Sequence, residues 1–348
     1  MFRSLRRAAL AACACLGLTG APALAERPVI LDMASTFPSD MPLVGEGGVQ
    51  TVEKVRRVTG GEVVINFHAP GALVPAADTV KAVAAGKVDA AWAGAGWFAG
   101  IDPAFNMFSA VPFGPGIGEY MAWMYYGGGL EAARELFHAH GVHNVPCALI
   151  PPEASGWFRR EIKTVADLKG LRMRFFGLGA KTVQKLGVAT QQLPPDQILP
   201  ALETNRIDAA EFSLPQMDRR FGFQNVAKYY YFPGWHQQAT FFDLYVNKAK
   251  WDKLADRHKA AIELACSDTL RDSIARGESA QGRIIAELQR EGVQVRRWSP
   301  QILAAFEKAW LEVVAEESTN SANFRRIYES YSRFRAEYAV WSYLGYMQ

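Results

Sequence analysis

Between positions 167 and 212 the chain collects residue types that suit capture of a small organic acid. Residues 171–181 read LRMRFFGLGAK, with Arg172 and Arg174 at the two-residue period of a strand. The run then breaks at Gly177 and Gly179 into a helical pattern over 180–186. A strand that feeds a glycine turn and a helix N-terminus offers free backbone N–H groups and a positive dipole end to an anion. An arginine at the strand's end adds a bidentate grip on a carboxylate. The stretch closes on IDAAEF, where Glu211 stands among Ala209, Ala210 and Phe212. That is an unusual setting for a solvated acid, and a carboxylate there needs a cation or a metal. We therefore expect two strand ends to line a small-acid site, with Arg174 gripping the carboxylate and Arg172 further out. Two plainer readings compete: both arginines are solvated surface charges, or Glu211 closes a structural salt bridge to a nearby arginine.

Other chemistry is weaker. His138, His140 and His143 follow a His-x-His-x-x-His spacing that can hold zinc, but they fall where a helical run, 130–137, meets Gly141, so the rings should fan out. His236 lies in an aromatic crossing, FPGWHQQATFF over 232–242, where it can touch a ligand. GLGAKT (177–182) lacks the spacing of a nucleotide-phosphate loop, and no G-x-S-x-G elbow occurs. Catalysis has no motif behind it.

The elements that must position these residues begin after an export signal. Arg3, Arg6 and Arg7 precede an apolar run over 8–18, and Ala23-Leu24-Ala25 is a small-x-small cleavage site. Cleavage near Ala25 removes three arginines and no acid, so the net charge of +3 falls to about zero. No basic patch for nucleic acid is implied, and no later run is apolar enough to span a bilayer. Cys147 and Cys266, both in apolar contexts, read as two buried free thiols, with a disulfide as the alternative.

Strand and helix patterns alternate from residue 29 to residue 93, which predicts an α/β lobe with a mostly parallel sheet. An eleven-residue pattern recurs: Ala82-x-x-x-Gly86-Lys87-Val88-Asp89-Ala90-Ala91-Trp92 against Ala201-x-x-x-Asn205-Arg206-Ile207-Asp208-Ala209-Ala210-Glu211. Each copy reads helix, cap residue able to take positive φ, basic residue, then small-residue strand. This echo predicts two similarly built lobes, a two-lobed α/β clamp with its ligand in the cleft. The first lobe is expected over 26–150 plus about 238–282, and the second over 151–237 plus about 283–318. The stretch over 248–291 is predominantly helical in pattern, with an interruption expected at Gly277 or Gly282. The last helix, within 319–348, carries Tyr328, Tyr331, Phe334, Tyr338 and Trp341 three or four apart. That stripe is either ordinary packing or a homodimer contact.

Six landmarks in order then resemble one family: PAFNMFSAVPFG (103–114), AWMYYGGG (122–129), SGWFRREIKTVADLKGLRMR (155–174), IDAAEF (207–212), KYYYFPGW (228–235) and VNKAKWDKL (246–254). Across essentially the whole mature chain they resemble the periplasmic solute-binding subunits of tripartite ATP-independent (TRAP) transporters, most closely the branch that binds 2-oxo acids such as pyruvate. The resemblance implies a periplasmic carrier rather than an enzyme, delivering its acid to a membrane permease. It places Arg174 at the family's carboxylate-clamping arginine. Glu211 and Phe212 stand at a Glu-Trp pair that holds a metal ion through the Glu side chain and the next residue's carbonyl. Where the branch has a Gln in its metal site this chain has Glu153, and where it has a Glu this chain has Gln237. If both face one ion, oxygen ligands and formal charge are conserved, which suits Na⁺ or Ca²⁺; alternatively Glu153 meets a cationic group on the ligand. Trp97, Phe98 and His236 are expected to set pocket size. Arg174→Ala should lose carboxylate binding with the fold intact. A metal-dependent periplasmic enzyme using Glu153 and Glu211 as acid and base, and a sensory binding subunit, are the rival readings.

Overall fold

The computed structural model describes residues 27–347; the expected export signal and its cleavage point lie outside the described residues. In chain order the strands are β1 (Val29–Ser35), β2 (Val63–His68), β3 (Ala90–Ala93), β4 (Val142–Ile150), β5 (Gly156–Phe158) and β6 (Arg172–Arg174). They continue with β7 (Ala189–Gln191), β8 (Ala209–Ala210), β9 (Tyr229–Phe232), β10 (Thr240–Asn247) and β11 (Gln294–Arg297). One sheet has the order β2-β1-β3-β10-β4 and the other β11-β9-β5-β8-β6-β7. Every residue of β3 and β4 is buried. That is the continuous apolar reading expected of strands covered on both faces.

The two sheets exchange strands. β4 runs on into β5 of the other sheet, and β9 runs on into β10 of the first. Each arriving strand is antiparallel to its new neighbours. The sequence pattern suggests one strand-like run over 232–242; the structure instead ends β9 at Phe232 and starts β10 at Thr240, with Pro233 and Gly234 between them. The two crossings lie side by side: the Glu153 N–H donates to the Gln237 carbonyl at 3.2 Å, and the Gly234 N–H donates to the Glu153 carbonyl at 2.9 Å.

The sequence echo is an architectural one. Gly86 (φ 68°) and Asn205 (φ 57°) both take the left-handed conformation, which glycine and asparagine tolerate best. Asp89 Oδ2 then accepts the Asp32 N–H at 2.8 Å, and Asp208 Oδ2 accepts the Arg172 N–H at 3.0 Å. Each aspartate thereby ties its strand to the parallel neighbour. The copies diverge at their last residue. Trp92 is buried in the core with its Nε1–H donating to the Val44 carbonyl at 2.6 Å, whereas Glu211 faces the space between the lobes.

A 35-residue helix, Asp256–Arg290, packs on β4 and also meets the helices Val44–Val58 and Pro215–Phe221. It runs unbroken through Gly277 and Gly282; the interruption expected at one of them falls instead between Lys253 and Asp256. Gly277 is there for proximity: a Cβ would sit 2.6 Å from Pro151 Cδ, on the first crossing, while Gly282 is open. Gly277→Ala should therefore destabilise the fold by about 1–2 kcal/mol despite the better helix propensity of alanine. Gly282→Ala should stabilise by roughly 0.5–1 kcal/mol. Equal thermal shifts for the two variants would contradict this account.

The same helix corrects the cysteine reading. Cys147 in β4 and Cys266 form a disulfide with Cα atoms 4.0 Å apart. Apolar context reported their burial correctly, since both are fully buried. It could not report that helix and strand bring together residues 119 apart in sequence.

β10 also buries Asp243, whose Oδ2 accepts from Asn144 Nδ2 at 2.9 Å. Burial pushes its carboxyl up to about 7, against weaker opposing effects from Asn144 and Arg134. An acid with a raised folded-state pKa binds its proton more tightly when folded, so its contribution to stability falls as pH rises from about 4 to about 7. The shift corresponds to at most about 4 kcal/mol, and relaxation reduces it. Asp243→Asn, which keeps the acceptor for Asn144, should gain about 1–3 kcal/mol at pH 8 and almost nothing at pH 4. Denaturant melts at the two pH values measure the difference.

The chain ends in two helices, Pro300–Asn320 and Ala322–Gly345. Tyr331 is buried and meets Trp123 edge-on at 5.2 Å, while Trp341, Tyr343 and Leu344 are exposed. The aromatic stripe is thus packing at its start and open at its end. No helix among the described residues is long and apolar enough to cross a membrane.

Candidate functional site

The crossings and the strand ends meet at one place. Glu153 rides the first crossing and His236 and Gln237 the second; Arg174 ends β6, and Glu211 follows β8. Register explains the pairing: β6 and β8 are parallel neighbours with Arg174 opposite Ala210. Arg174 Nη1 donates to Glu211 Oε2 at 2.8 Å and to the Glu211 carbonyl at 2.5 Å, and its Nε to the Leu193 carbonyl at 3.3 Å. Both members of this ion pair are buried, so the pair cannot be the solvated surface charge of the plainer reading. Arg172, two residues earlier, does have that character, with an exposed ion pair to Asp208.

The glycine turn holds an anion, but the anion is the protein's own. The helix Gly177–Gln184 starts three residues earlier than the pattern suggests, and the N–H of its capping residue Phe176 donates to Glu211 Oε2 at 3.2 Å. Gly179 lets this helix come close, since a Cβ there would lie 2.4 Å from Phe175 and 3.0 Å from His236.

Glu153 is oriented the same way. Its Oε1 accepts from the Ser213 hydroxyl at 2.8 Å, and the Ser213 N–H donates to buried Asp218. Each carboxylate thus has one oxygen tethered and the other turned towards His236. His236 Nε2 lies 3.6 Å from both Glu153 Oε2 and Glu211 Oε1. These separations suit an ion pair but exceed a hydrogen bond. Among the described residues, Glu153 Oε2 and both ring nitrogens lack a hydrogen-bond partner although all are buried. Burial first, and the Glu211 charge after it, raises the Glu153 carboxyl to about 7. Burial alone would depress His236, but the two carboxylates outweigh it and raise the imidazole to about 9. Donor atoms of Glu153, Glu211 and His236 all lie within 4.8 Å of one another, a spacing at which one cation can be shared. Orphaned, converging, mostly anionic donors fit a bound cation.

A cavity of about 60 Å³ opens beside this cluster, lined by Trp97, Glu153, Arg174, Glu211, Phe212 and Gln237. One water needs about 10–15 Å³ on this measure, so the space suits a ligand of only a few heavy atoms. The lobes meet over it: Trp97 from one and Phe176 from the other line the cavity and stand 5.4 Å apart, and Asp40 pairs with Arg220 from one lobe to the other. His236 is not on the cavity wall but behind the carboxylates, edge-on to Phe175 at 5.0 Å. Phe98, expected to size the pocket, is core, packed on Phe105 and Tyr245.

Other walls escaped the sequence reading. Phe37, Phe176 and Phe242 line the cavity, as do the hydroxyl residues Ser109 and Thr240. Phe37 follows the end of β1, the counterpart of β6, so the echo held a usable signal for it. The histidine triplet does not assemble: His138 Nε2 meets His143 Nδ1 at 2.9 Å and His143 stacks on Trp251, while His140 sits against Phe105. Burial, with the Arg134 charge, depresses His143 to about 3.

Known proteins resemble this chain in sequence and in fold. Over 296 residues it is 33% identical to a monocarboxylate 2-oxoacid-binding periplasmic protein of Nostoc sp. PCC 7120, covering 85% of this chain and 81% of that protein. Its fold matches a TRAP transporter solute-binding protein of Bordetella bronchiseptica at TM-score 0.88, with 32% identity over 90% of this chain and 94% of the other. That structure is a mixed-occupancy dimer, with copurified calcium and picolinate in one site and an apo site. A TRAP periplasmic solute-binding protein of Pseudoalteromonas atlantica matches at TM-score 0.87 and 28% identity, covering 92% and 100% of the chains, and holds sodium and pyruvate. The two-lobed fold expected from the echo is the fold of these proteins. Residues 34–320 match the model of bacterial extracellular solute-binding protein family 7, and the chain belongs to that family.

Proposed function

We propose that this protein captures a small 2-oxo monocarboxylate between its lobes and delivers it to a TRAP-type membrane permease, without chemistry on the ligand. The observation that carries this reading is the buried Arg174–Glu211 pair beside a cavity of about 60 Å³, with Glu153 Oε2 and the His236 ring nitrogens left without hydrogen-bond partners among the described residues. Nη1 and Nε of Arg174 are engaged by protein, so we assign its remaining Nη2 edge to the ligand carboxylate. Glu153 and Glu211 would hold a cation against the acid, with the Phe212 carbonyl and the Gln237 side chain completing its oxygen shell. When bound, the cation supplies charge neutralisation for two carboxylates and an acid in one buried space. Trp97 and Phe176 exclude water as the lobes close. That closed form is what a permease would recognise.

The crossings at 151–155 and 233–239 are the natural hinge, which supports lobes over 26–150 plus about 238–282 and 151–237 plus about 283–318. Residues 1–25 then act as the cleaved export signal. The open end of the last helix, with Trp341, Tyr343 and Leu344 exposed, supports a homodimer contact. Light scattering should give a dimer mass that Trp341→Glu with Leu344→Glu converts to monomer.

A thermal-shift screen of 2-oxo, 2-hydroxy and aromatic acids, run with and without chelator and in sodium-free buffer, tests the reading. Small 2-oxo acids should give the largest shifts, and removal of cations should erase them. Stabilisation unaffected by either depletion would end the cation bridge.

A further inference from the structure

We propose that His236 is a nitrogen ligand in the cation site, and that it shifts the site's preference from hard ions such as Ca²⁺ or Na⁺ to borderline divalent metals, Zn²⁺ and Co²⁺ among them. The inference rests on the reading of Glu153 and Glu211 as a cation site.

Four features of the structure converge on it. His236 Nε2 is equidistant, at 3.6 Å, from Glu153 Oε2 and Glu211 Oε1. Ligands about 2.1 Å from one metal stand roughly 3.0–3.4 Å apart, so His236 stands within a few tenths of an ångström of that spacing from each carboxylate, and the three donor atoms lie within 4.8 Å of one another. Second, Nε2 has no hydrogen bond among the described residues, and neither does Glu153 Oε2. A buried imidazole without a hydrogen bond on either nitrogen is unusual in either protonation state, and a metal at Nε2 would displace the proton that the two carboxylates otherwise favour there. Third, the opposite oxygen of each carboxylate is fixed, by Ser213 on Glu153 and by Arg174 and the Phe176 N–H on Glu211. Such outer contacts orient ligands towards a metal. Fourth, the ring has little freedom: Phe175 meets it edge-on at 5.0 Å, and Gly179 leaves no space beside its Cβ.

The chemistry follows from the donor set. Carboxylate, carbonyl and water oxygens suit Ca²⁺ and Mg²⁺, whereas imidazole favours Zn²⁺, Co²⁺, Ni²⁺ and Fe²⁺. With a borderline metal, two carboxylate oxygens and one imidazole would replace the fuller oxygen shell that includes Phe212 and Gln237, and leave coordination positions open on the cavity side. A 2-oxo acid would fill two of them with its carboxylate and keto oxygens. The ligand class becomes the metal chelate of the acid, not the acid alone.

The test uses the mature full chain, stripped of metal and titrated with Zn²⁺, Co²⁺ and Ca²⁺ in sodium-free buffer, first without acid. Zn²⁺ should bind at least about 100-fold more tightly than Ca²⁺. Co²⁺ should give visible d–d absorption, and the His236 ring ¹⁵N resonance should move on Zn²⁺ addition. His236→Gln, with folding checked by its thermal melt, should lose the Zn²⁺ preference by about 10–100-fold and change Ca²⁺ binding far less. Equal affinities for Zn²⁺ and Ca²⁺, or a ring resonance unmoved by Zn²⁺ in the wild type, overturns the proposal even if the variant misfolds. Pyruvate capture measured in parallel with Ca²⁺ separates the two readings. Capture with Ca²⁺ but no Zn²⁺ preference removes the His236 assignment and leaves the carrier; no capture with any ion removes the carrier itself.

Discussion

Arg174→Ala is expected to weaken 2-oxo acid binding by roughly 30- to 4,000-fold, the effect of truncating one partner of a buried hydrogen-bonded charge pair. It should also lower stability by about 3–5 kcal/mol. The second effect departs from the sequence-level expectation of an intact fold. Arg174 is buried, and its Nη1 neutralises Glu211 at 2.8 Å, so its removal strands a buried carboxylate without its counter-charge. Three of the polar contacts made here end on Arg174, two of them to backbone carbonyls. Arg174→Lys should retain most of the stability and still bind the acid about 10–100-fold less well, because one ammonium cannot serve Glu211, Leu193 and the ligand from one plane. Calorimetry reads the affinity and urea melts the stability. The double variant Arg174→Ala with Glu211→Gln should recover stability without recovering binding. Near-normal acid affinity in either single arginine variant would remove Arg174 from the site.

The sequence carried the parts of this site that are local and left out those that depend on how the lobes meet. A strand, a glycine turn and a helix start over 171–184 were legible from period and composition. So was the oddity of Glu211 among small apolar neighbours. What the turn binds was not legible, because the anion at Phe176 is Glu211 itself, brought there by the β6–β8 pairing. The echo of 82–92 in 201–211 exposed the lobe architecture, since it repeats a hydrogen-bonded unit as well as a composition. Phe176 and Phe242 were missed because aromatic residues in apolar runs read as core, and only the closed cleft gives them a ligand-facing surface. The disulfide was misread for a related reason: spacing along the chain says nothing about helix packing on a buried strand. Glu153 entered only through family resemblance. Nothing in Pro-Pro-Glu-Ala-Ser marks it as a buried acid until the two crossings are seen together.

Glu153→Gln should reduce affinity for the cation by roughly 100-fold or more, because cation sites are tuned by the number of anionic ligands. Acid binding should fall with it and return in excess of the ion. The same change should leave the ion-free protein as stable as before, or slightly more so. Burial already disfavours the charged form of Glu153, and a Gln carbonyl can still accept from Ser213. A ligand for an ion and a structural carboxylate are thereby told apart, since a structural role predicts destabilisation without any ion present. The second crossing supplies the rescue. Gln237 lines the same cavity, and its backbone carbonyl accepts the Glu153 N–H at 3.2 Å. If both side chains address one ion, Glu153→Gln combined with Gln237→Glu restores its formal charge, and affinity should return to within about tenfold of wild type. Failure of the double variant to bind better than the single one would show that the charge is usable only on the first crossing. Unchanged, chelator-resistant acid binding in Glu153→Gln would leave Arg174 as the sole determinant of capture.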